Sequence, residues 1–234
     1  MKIFYDGLNI QKFRTCYLVD GFTTNPTFFK SWNNNNDIPD IKYKNLAEEM
    51  LKYTDKKCVS FEVFADTPAE MIAEAREIAS WDASIYVKIP VINTSGVFCG
   101  DVISALQKEN IKLNITAVFT YQQLNAIYDI LKKDVPTIIS IFAGRIADTG
   151  TDPKCIIKYA VGLFEDSNTE ILWASVREPY NITEAKDCGC HIITVPDATL
   201  NKYLECDRKD LTQFSVETVK MFYTDAQKSG ITIL

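Results

Sequence analysis

Eight short β-rich runs, each followed by a longer helical pattern, predict an α/β chain folded as a (β/α)8 TIM barrel. The expected form is a parallel eight-stranded barrel with right-handed crossovers and an extra C-terminal helix. Two further observations agree. The chain has 234 residues, which suits the ~200–250 that such a barrel needs. The turn after the first run reads Asp6-Gly7-Leu8-Asn9, without the glycine-rich phosphate fingerprint usual in the rival doubly wound open sheet. A single domain over 1–234 is the expected organisation.

Taken in order, Ile3–Tyr5 is the first strand, with a helix from about Asn9 to Tyr17. Gly21–Thr24 is the second and ends in Asn25-Pro26. Ser31 to Asp40, with its run Asn33-Asn34-Asn35-Asn36, reads as an exposed loop before a helix around Tyr43–Lys52. Cys58–Phe64 is the third strand; Pro68–Ser80 follows as a helix, with Pro68 in its first turn and Thr67 or Asp66 as cap. Ser84–Lys88, Leu113–Ala117 and Thr137–Phe142 are strands four to six, with helices at Val97–Glu109, Tyr121–Lys132 and Asp152–Phe164. Glu170–Ala174 and Cys190–Val195 complete the barrel, followed by helices at Pro179–Asp187 and Asp197–Glu205. A last helix, about Thr212–Lys228, is left over.

Composition narrows the function. The formal net charge of −6 and the absence of any dense Lys/Arg cluster argue against nucleic-acid binding. The longest basic groupings are pairs, among them Lys56–Lys57 and Lys132–Lys133, expected on solvated helix ends. No stretch approaches the roughly 18 apolar residues of a membrane span. Met1-Lys2-Ile3-Phe4-Tyr5 runs straight into Asp6, so no signal peptide is expected and the protein reads as cytoplasmic. Seven cysteines without a framework spacing read as reduced thiols. Cys188-Gly189-Cys190-His191 resembles a fragment of a zinc site but lacks a second ligand pair, so no metal is expected. His191 is the only histidine, which excludes a multi-histidine metal centre and severely limits Ser–His–Asp chemistry.

In a barrel, alternate strand residues point inward, and chemistry gathers at the C-terminal strand ends. The polar residues fall there. Asp6 ends strand one, and Thr24 and Asn25 end strand two. Ser60 and Glu62 share a face of strand three, and Tyr86 and Lys88 a face of strand four. Asn114 and Thr116 share a face of strand five; Ser140 and Phe142 share a face of strand six, with Arg145 just beyond. Ser175 ends strand seven, and Arg177 lies two residues on. Any one of these has an ordinary explanation as a cap, a turn former or a surface pair. Together they put carboxylates, a lysine, amides and arginines into one mouth, where a packed core would not tolerate them without partners or a ligand. Lys88, inside the apolar run Ile85-Tyr86-Val87-Lys88-Ile89-Pro90, is a candidate amine nucleophile, because desolvation disfavours its ammonium form. An amine that attacks a ketone forms an iminium, an electron sink for breaking the neighbouring carbon–carbon bond. Glu62, Thr116 and Asp6 can hold a water and shuttle its protons. Arg145 and Arg177 offer planar forks for a phosphate.

Thr23-Thr24-Asn25-Pro26-Thr27, Val87-Lys88-Ile89-Pro90, Asn114-Ile115-Thr116 and Phe142-Ala143-Gly144-Arg145 resemble, in order and spacing, the motifs of the transaldolase and fructose 6-phosphate aldolase family. Ile3-Phe4-Tyr5-Asp6 and Ala174-Ser175-Val176-Arg177 resemble its first and seventh strand ends. The resemblance implies a class I enzyme of sugar-phosphate metabolism without metal or organic cofactor. In it Lys88 forms the Schiff base, and Asp6 is acid–base at the substrate's C4 hydroxyl. Glu62 and Thr116 position a catalytic water. Asn25 and Asn114 bind dihydroxyacetone hydroxyls near Thr24, Ser140 and Ser175, and Arg145, with Arg177, takes the phosphate. Glu62 with Phe142 follows the transaldolase pattern; fructose 6-phosphate aldolases usually carry Gln and Tyr there. Transfer to an aldehyde acceptor is therefore expected ahead of simple release of dihydroxyacetone. Unusual neighbours of Arg145 and Arg177 leave a sulfonated ketose as an alternative substrate, and a non-catalytic sugar-phosphate-binding barrel is the remote one. The family resemblance also implies a homo-oligomer, a pentamer or decamer, with Phe214, Met221 and Phe222 giving the last helix its apolar contacts.

Overall fold

A computed structural model describes residues 1–36, 42–206 and 209–233, without the side chains of 32–36. The expected strands form one closed parallel barrel in chain order, with the first strand paired to the eighth. They are β1 (Lys2–Asp6), β2 (Val19–Thr23), β3 (Cys58–Glu62), β4 (Ile85–Pro90), β5 (Leu113–Val118), β6 (Thr137–Ile141), β7 (Thr169–Trp173) and β8 (Ile192–Pro196). Runs such as Ile85-Tyr86-Val87 and Ile138-Ile139 adopt strands readily because β-branched and aromatic side chains pack on a pleated, buried surface. Between them lie α1 (Ile10–Phe13), α2 (Pro26–Asn36), α3 (Tyr43–Leu51), α4 (Pro68–Trp81), α5 (Gly100–Lys108) and α6 (Tyr121–Ile130). Then come α7 (Ala143–Asp148), α8 (Lys154–Leu163), α9 (Asn181–Asp187), α10 (Asp197–Cys206) and α11 (Leu211–Ser229). The chain forms two compact units, Met1–Leu200 and Asn201–Leu234. In the second, Asp210 caps α11 through the Gln213 N–H, and Gly230, at a φ of 68°, closes it in the left-handed region.

The period of two along each strand explains why the mouth is polar. Phe4, Ile138, Leu172 and Ile192 form an apolar cluster inside the barrel, with Cys58 and Tyr86 packed against it. Two residues farther along the same faces stand Asp6, Ser140, Thr194, Ser60 and Lys88, with Ala174 still part of the apolar cluster. Gly21 makes the lower layer possible: a Cβ there would lie 2.6 Å from the Phe4 ring. Sequence patterning therefore puts an apolar plug below and a polar layer above it.

Three helix expectations need correction. The first helix is only Ile10–Phe13, not Asn9–Tyr17. Ile10 and Phe13 are buried but Tyr17 is 88% exposed, so no apolar face sustains another turn. The segment from Ser31 expected as loop continues α2 as far as Asn36. Asn25 starts that helix: its Oδ1 accepts the Phe28 N–H at 3.2 Å, and Pro26 fits the first turn. The rest of the expected loop, residues 37–40, falls outside the described residues. The short α7 was not expected, because a six-residue helix spans too few turns to show a period. Elsewhere, Thr67 is the N-cap residue of α4 without a side-chain cap bond, and Asp66 instead accepts from the Thr94 N–H and hydroxyl. Among the described residues no helix is long and apolar enough to cross a membrane.

Candidate active site

β4 carries Lys88 into the barrel, where it is 6% exposed. Its Nζ donates to the Thr24 carbonyl at 2.8 Å and lies 3.0 Å from Glu62 Oε2. The pairing follows from register, since Glu62 and Lys88 are neighbours across β3 and β4. Asp6 stands at the end of β1, and its Oδ1 accepts from the Thr23 hydroxyl at 2.7 Å. Thr23 in turn shares a 2.5 Å hydrogen bond with Thr194 from β8. Burial, the largest influence, and the nearby charge of Glu62 raise the Asp6 carboxyl above its ordinary 3.8; Lys88 and the Thr23 hydroxyl oppose the rise. Asp6 is thus suited to carrying a proton.

The next layer is made of neutral groups that satisfy one another. Asn114 Nδ2 donates to Ser60 Oγ at 3.0 Å, and Ser140 Oγ donates to Asn114 Oδ1 at 2.7 Å. Thr24 Oγ1 donates to the Ser60 carbonyl at 2.8 Å. One residue nearby is left over: Thr116 Oγ1 is buried without a hydrogen-bond partner among the described residues. A buried hydroxyl without a partner marks a place for a water or a substrate oxygen.

All of the predicted site residues except Thr24 and Asn114 line a cavity of about 480 Å³ at the barrel mouth. Thr24 and Asn114 are fully buried beside it and support Lys88 and Ser140 from behind. Arg145 lies with its guanidinium carbon 5.6 Å from the centre of the Phe142 ring, and among the described residues no carboxylate pairs with it. Arg177 is engaged by Asp148 through contacts of 3.3 and 2.5 Å, and its backbone N–H is held by Asn181. Ala117 and Ser175, both lining the cavity, have φ of 59° and 63°. Left-handed backbone at non-glycine residues is costly and gathers where a site must be held in shape.

Sequence reasoning missed Thr23 and Thr194, which also line the cavity. The period of two was the available signal, since Thr23 precedes Asn25 by two positions and Thr194 precedes Pro196 by two. The cysteine–histidine fragment has other uses. Cys190 Sγ contacts the carbonyls of Ile171 and Ile192, and His191 Nδ1 accepts the Ile171 N–H at 2.9 Å. Among the described residues no group of His, Cys, Asp and Glu stands together as a metal-binding set.

Comparison with known proteins places this arrangement. The family model described as Transaldolase/Fructose-6-phosphate aldolase matches residues 3–233. The chain belongs to this family. A "probable transaldolase" of Streptococcus agalactiae serotype V is 36% identical over 205 residues, covering 85% of this chain and 87% of the relative. One from a Thermoanaerobacter species is 32% identical over 238 residues and covers 100% of both chains. Among solved structures, the tryptophan synthase A-subunit of Pyrococcus furiosus has a TM-score of 0.57 at 11% identity, covering 91% of this chain and 93% of its own. KGPDC of Streptococcus mutans has a TM-score of 0.54 at 10% identity, covering 83% and 86%. These two likenesses concern the fold; the transaldolase family membership rests on sequence.

Proposed function

We propose that the barrel mouth is a Schiff-base transaldolase site that moves a dihydroxyacetone unit from a ketose phosphate, such as fructose 6-phosphate or sedoheptulose 7-phosphate, to an aldehyde acceptor. The observation that carries this reading is the buried Lys88 amine, 3.0 Å from Glu62, beneath a cavity with the unpartnered Thr116 hydroxyl. Transfer of the ammonium proton to Glu62 frees the Nζ lone pair. The amine then attacks C2 of the ketose, and the carbinolamine oxygen leaves as water after protonation, giving an iminium. Asp6 as carboxylate removes the C4 hydroxyl proton, the C3–C4 bond breaks, and its electron pair enters the iminium to give an enamine and a free aldehyde. The acceptor reverses these steps. Thr116 and Glu62 hold the water that forms and later cleaves the iminium. Arg145 is suited to the distal anion, because Arg177 is already engaged by Asp148.

Phe142 favours transfer over hydrolytic release. It has no proton to give, so the water depends on a carboxylate that is also bound to Lys88. Release of dihydroxyacetone without acceptor, use of a sulfonated ketose, and binding without catalysis are the competing outcomes of one experiment. The protein is incubated with fructose 6-phosphate, reduced with borohydride and mapped by peptide mass spectrometry, with Lys88→Ala alongside. The expected result is a substrate-derived adduct on Lys88, absent from the variant, and turnover that requires added erythrose 4-phosphate. Turnover without acceptor converts the assignment to an aldolase. Labelling only by a sulfonated ketose changes the donor, and no labelling by any of these sugars overturns the catalytic reading.

A further inference from the structure

Outside the cavity, one side chain stands beside both residues that hold the Lys88 amine. Tyr43 opens α3, packs against Phe61 of β3 and does not line the substrate cavity. Its hydroxyl accepts the Glu62 backbone N–H at 3.2 Å and meets the Thr24 side chain. Glu62 is the carboxylate 3.0 Å from Lys88 Nζ, and the Thr24 carbonyl accepts from that same nitrogen at 2.8 Å. The two oxygen atoms that fix the amine thus come from residues joined through one phenol.

The phenol is itself held firmly. Its ring stacks on Phe64 at 4.5 Å and meets Phe29, Trp81 and Phe61 edge-on at 4.7, 5.5 and 6.0 Å. Four rings from α2, β3, the segment after β3 and α4 leave it a single orientation. Burial, the leading cause, pushes its hydroxyl far above the ordinary 10.0, so it stays neutral and keeps its hydrogen-bonding capacity across the working range. If packing were its only task, phenylalanine would fill the position equally well. The hydroxyl, buried among aromatic rings, instead answers a backbone N–H that would otherwise lack a partner.

We infer that Tyr43 is a positioning residue for the Schiff-base reaction, holding the Glu62 backbone and the Thr24 side chain so that the Lys88 amine is set for attack. This inference rests on the proposed chemistry of Lys88. Because Tyr43 touches neither substrate nor reacting atoms, its loss acts on kcat and leaves ketose binding alone.

The test is Tyr43→Phe in the full chain, with kcat counted per site labelled by borohydride so that misfolded protein is excluded. The expected result is a fall of about 10-fold in kcat with KM for fructose 6-phosphate within about twofold of wild type. Replacing Tyr43 by 4-aminophenylalanine, which restores a polar group on the same ring, is expected to recover most of the loss. A Tyr43→Phe enzyme with wild-type kcat per labelled site overturns the positioning role, as does a loss that 4-aminophenylalanine fails to repair. Failure of the wild-type protein to label at Lys88 is a separate result, which removes the proposed reaction and this role with it.

Discussion

Asp6 links proton chemistry to folding at a single residue. Its carboxyl is raised above 3.8 chiefly by burial, with the Glu62 charge adding to the rise. The folded protein therefore holds this proton to higher pH than the unfolded chain does. The stability it contributes is complete below 3.8 and is lost as pH rises through the folded value. Asp6→Asn keeps an acceptor for the Thr23 hydroxyl and removes the charge. The variant is expected to lose turnover yet melt above wild type at pH 7, with the difference in Tm shrinking as pH falls toward 3.8. A Tm difference that does not change with pH would show that the charge is not the cause. Residues at this scale were legible in the sequence where they lie at or just beyond the end of a strand, as Asp6, Lys88 and Arg145 do. Tyr43 was not legible, because its role depends on where α3 lies against β3, and no local spacing encodes that.

At the scale of elements, one close junction lies between the start of α7 and the residues just after β7. A Cβ on Gly144 would lie 1.6 Å from the Ser175 carbonyl oxygen, and Ser175 already has a φ of 63°. Neither backbone can retreat without moving the cavity wall. Gly144→Ala is expected to cost about 3 kcal/mol or more, read as a lower urea midpoint at unchanged slope. Gly162 in α8 supplies the contrast, having nothing within 4 Å of its missing Cβ and no positive φ. Gly162→Ala is expected to stabilise by about 0.5–1 kcal/mol, since helix interiors favour alanine. A comparable loss from both substitutions would refute the steric account. Strands were readable because Ile, Val and Thr gather in short runs between turn residues. Helix extents were less so: α1 stops early and α2 runs on through asparagines because burial and capping outweigh propensity.

For the whole molecule, the regular alternation of units predicted a parallel barrel, but the pairs that close it lie too far apart in sequence for local pattern to reveal. Lys2 stands beside Ile192 and Asp6 beside Pro196 in a continuous parallel register. Lys2 also pairs with Glu170, so the first strand is fastened by groups from the last quarter of the barrel. Of the barrel's strands, the first to leave the ribosome must wait for the eighth. At common synthesis rates of ~5–20 residues per second, the roughly 190 residues between Asp6 and Pro196 take on the order of 10–40 s. Throughout that interval β1 has an unpaired hydrogen-bonding edge, the feature by which nascent chains join their neighbours. Ribosome-bound chains stalled with Asp187 just outside the exit tunnel are expected to be cut by protease near β1, and chains extended past Pro196 to resist. Equal resistance of both would mean that the edge is sheltered by another route. The closed ring that gives the mature barrel no free edge thus makes its birth the time of greatest exposure, and crowded synthesis its main hazard.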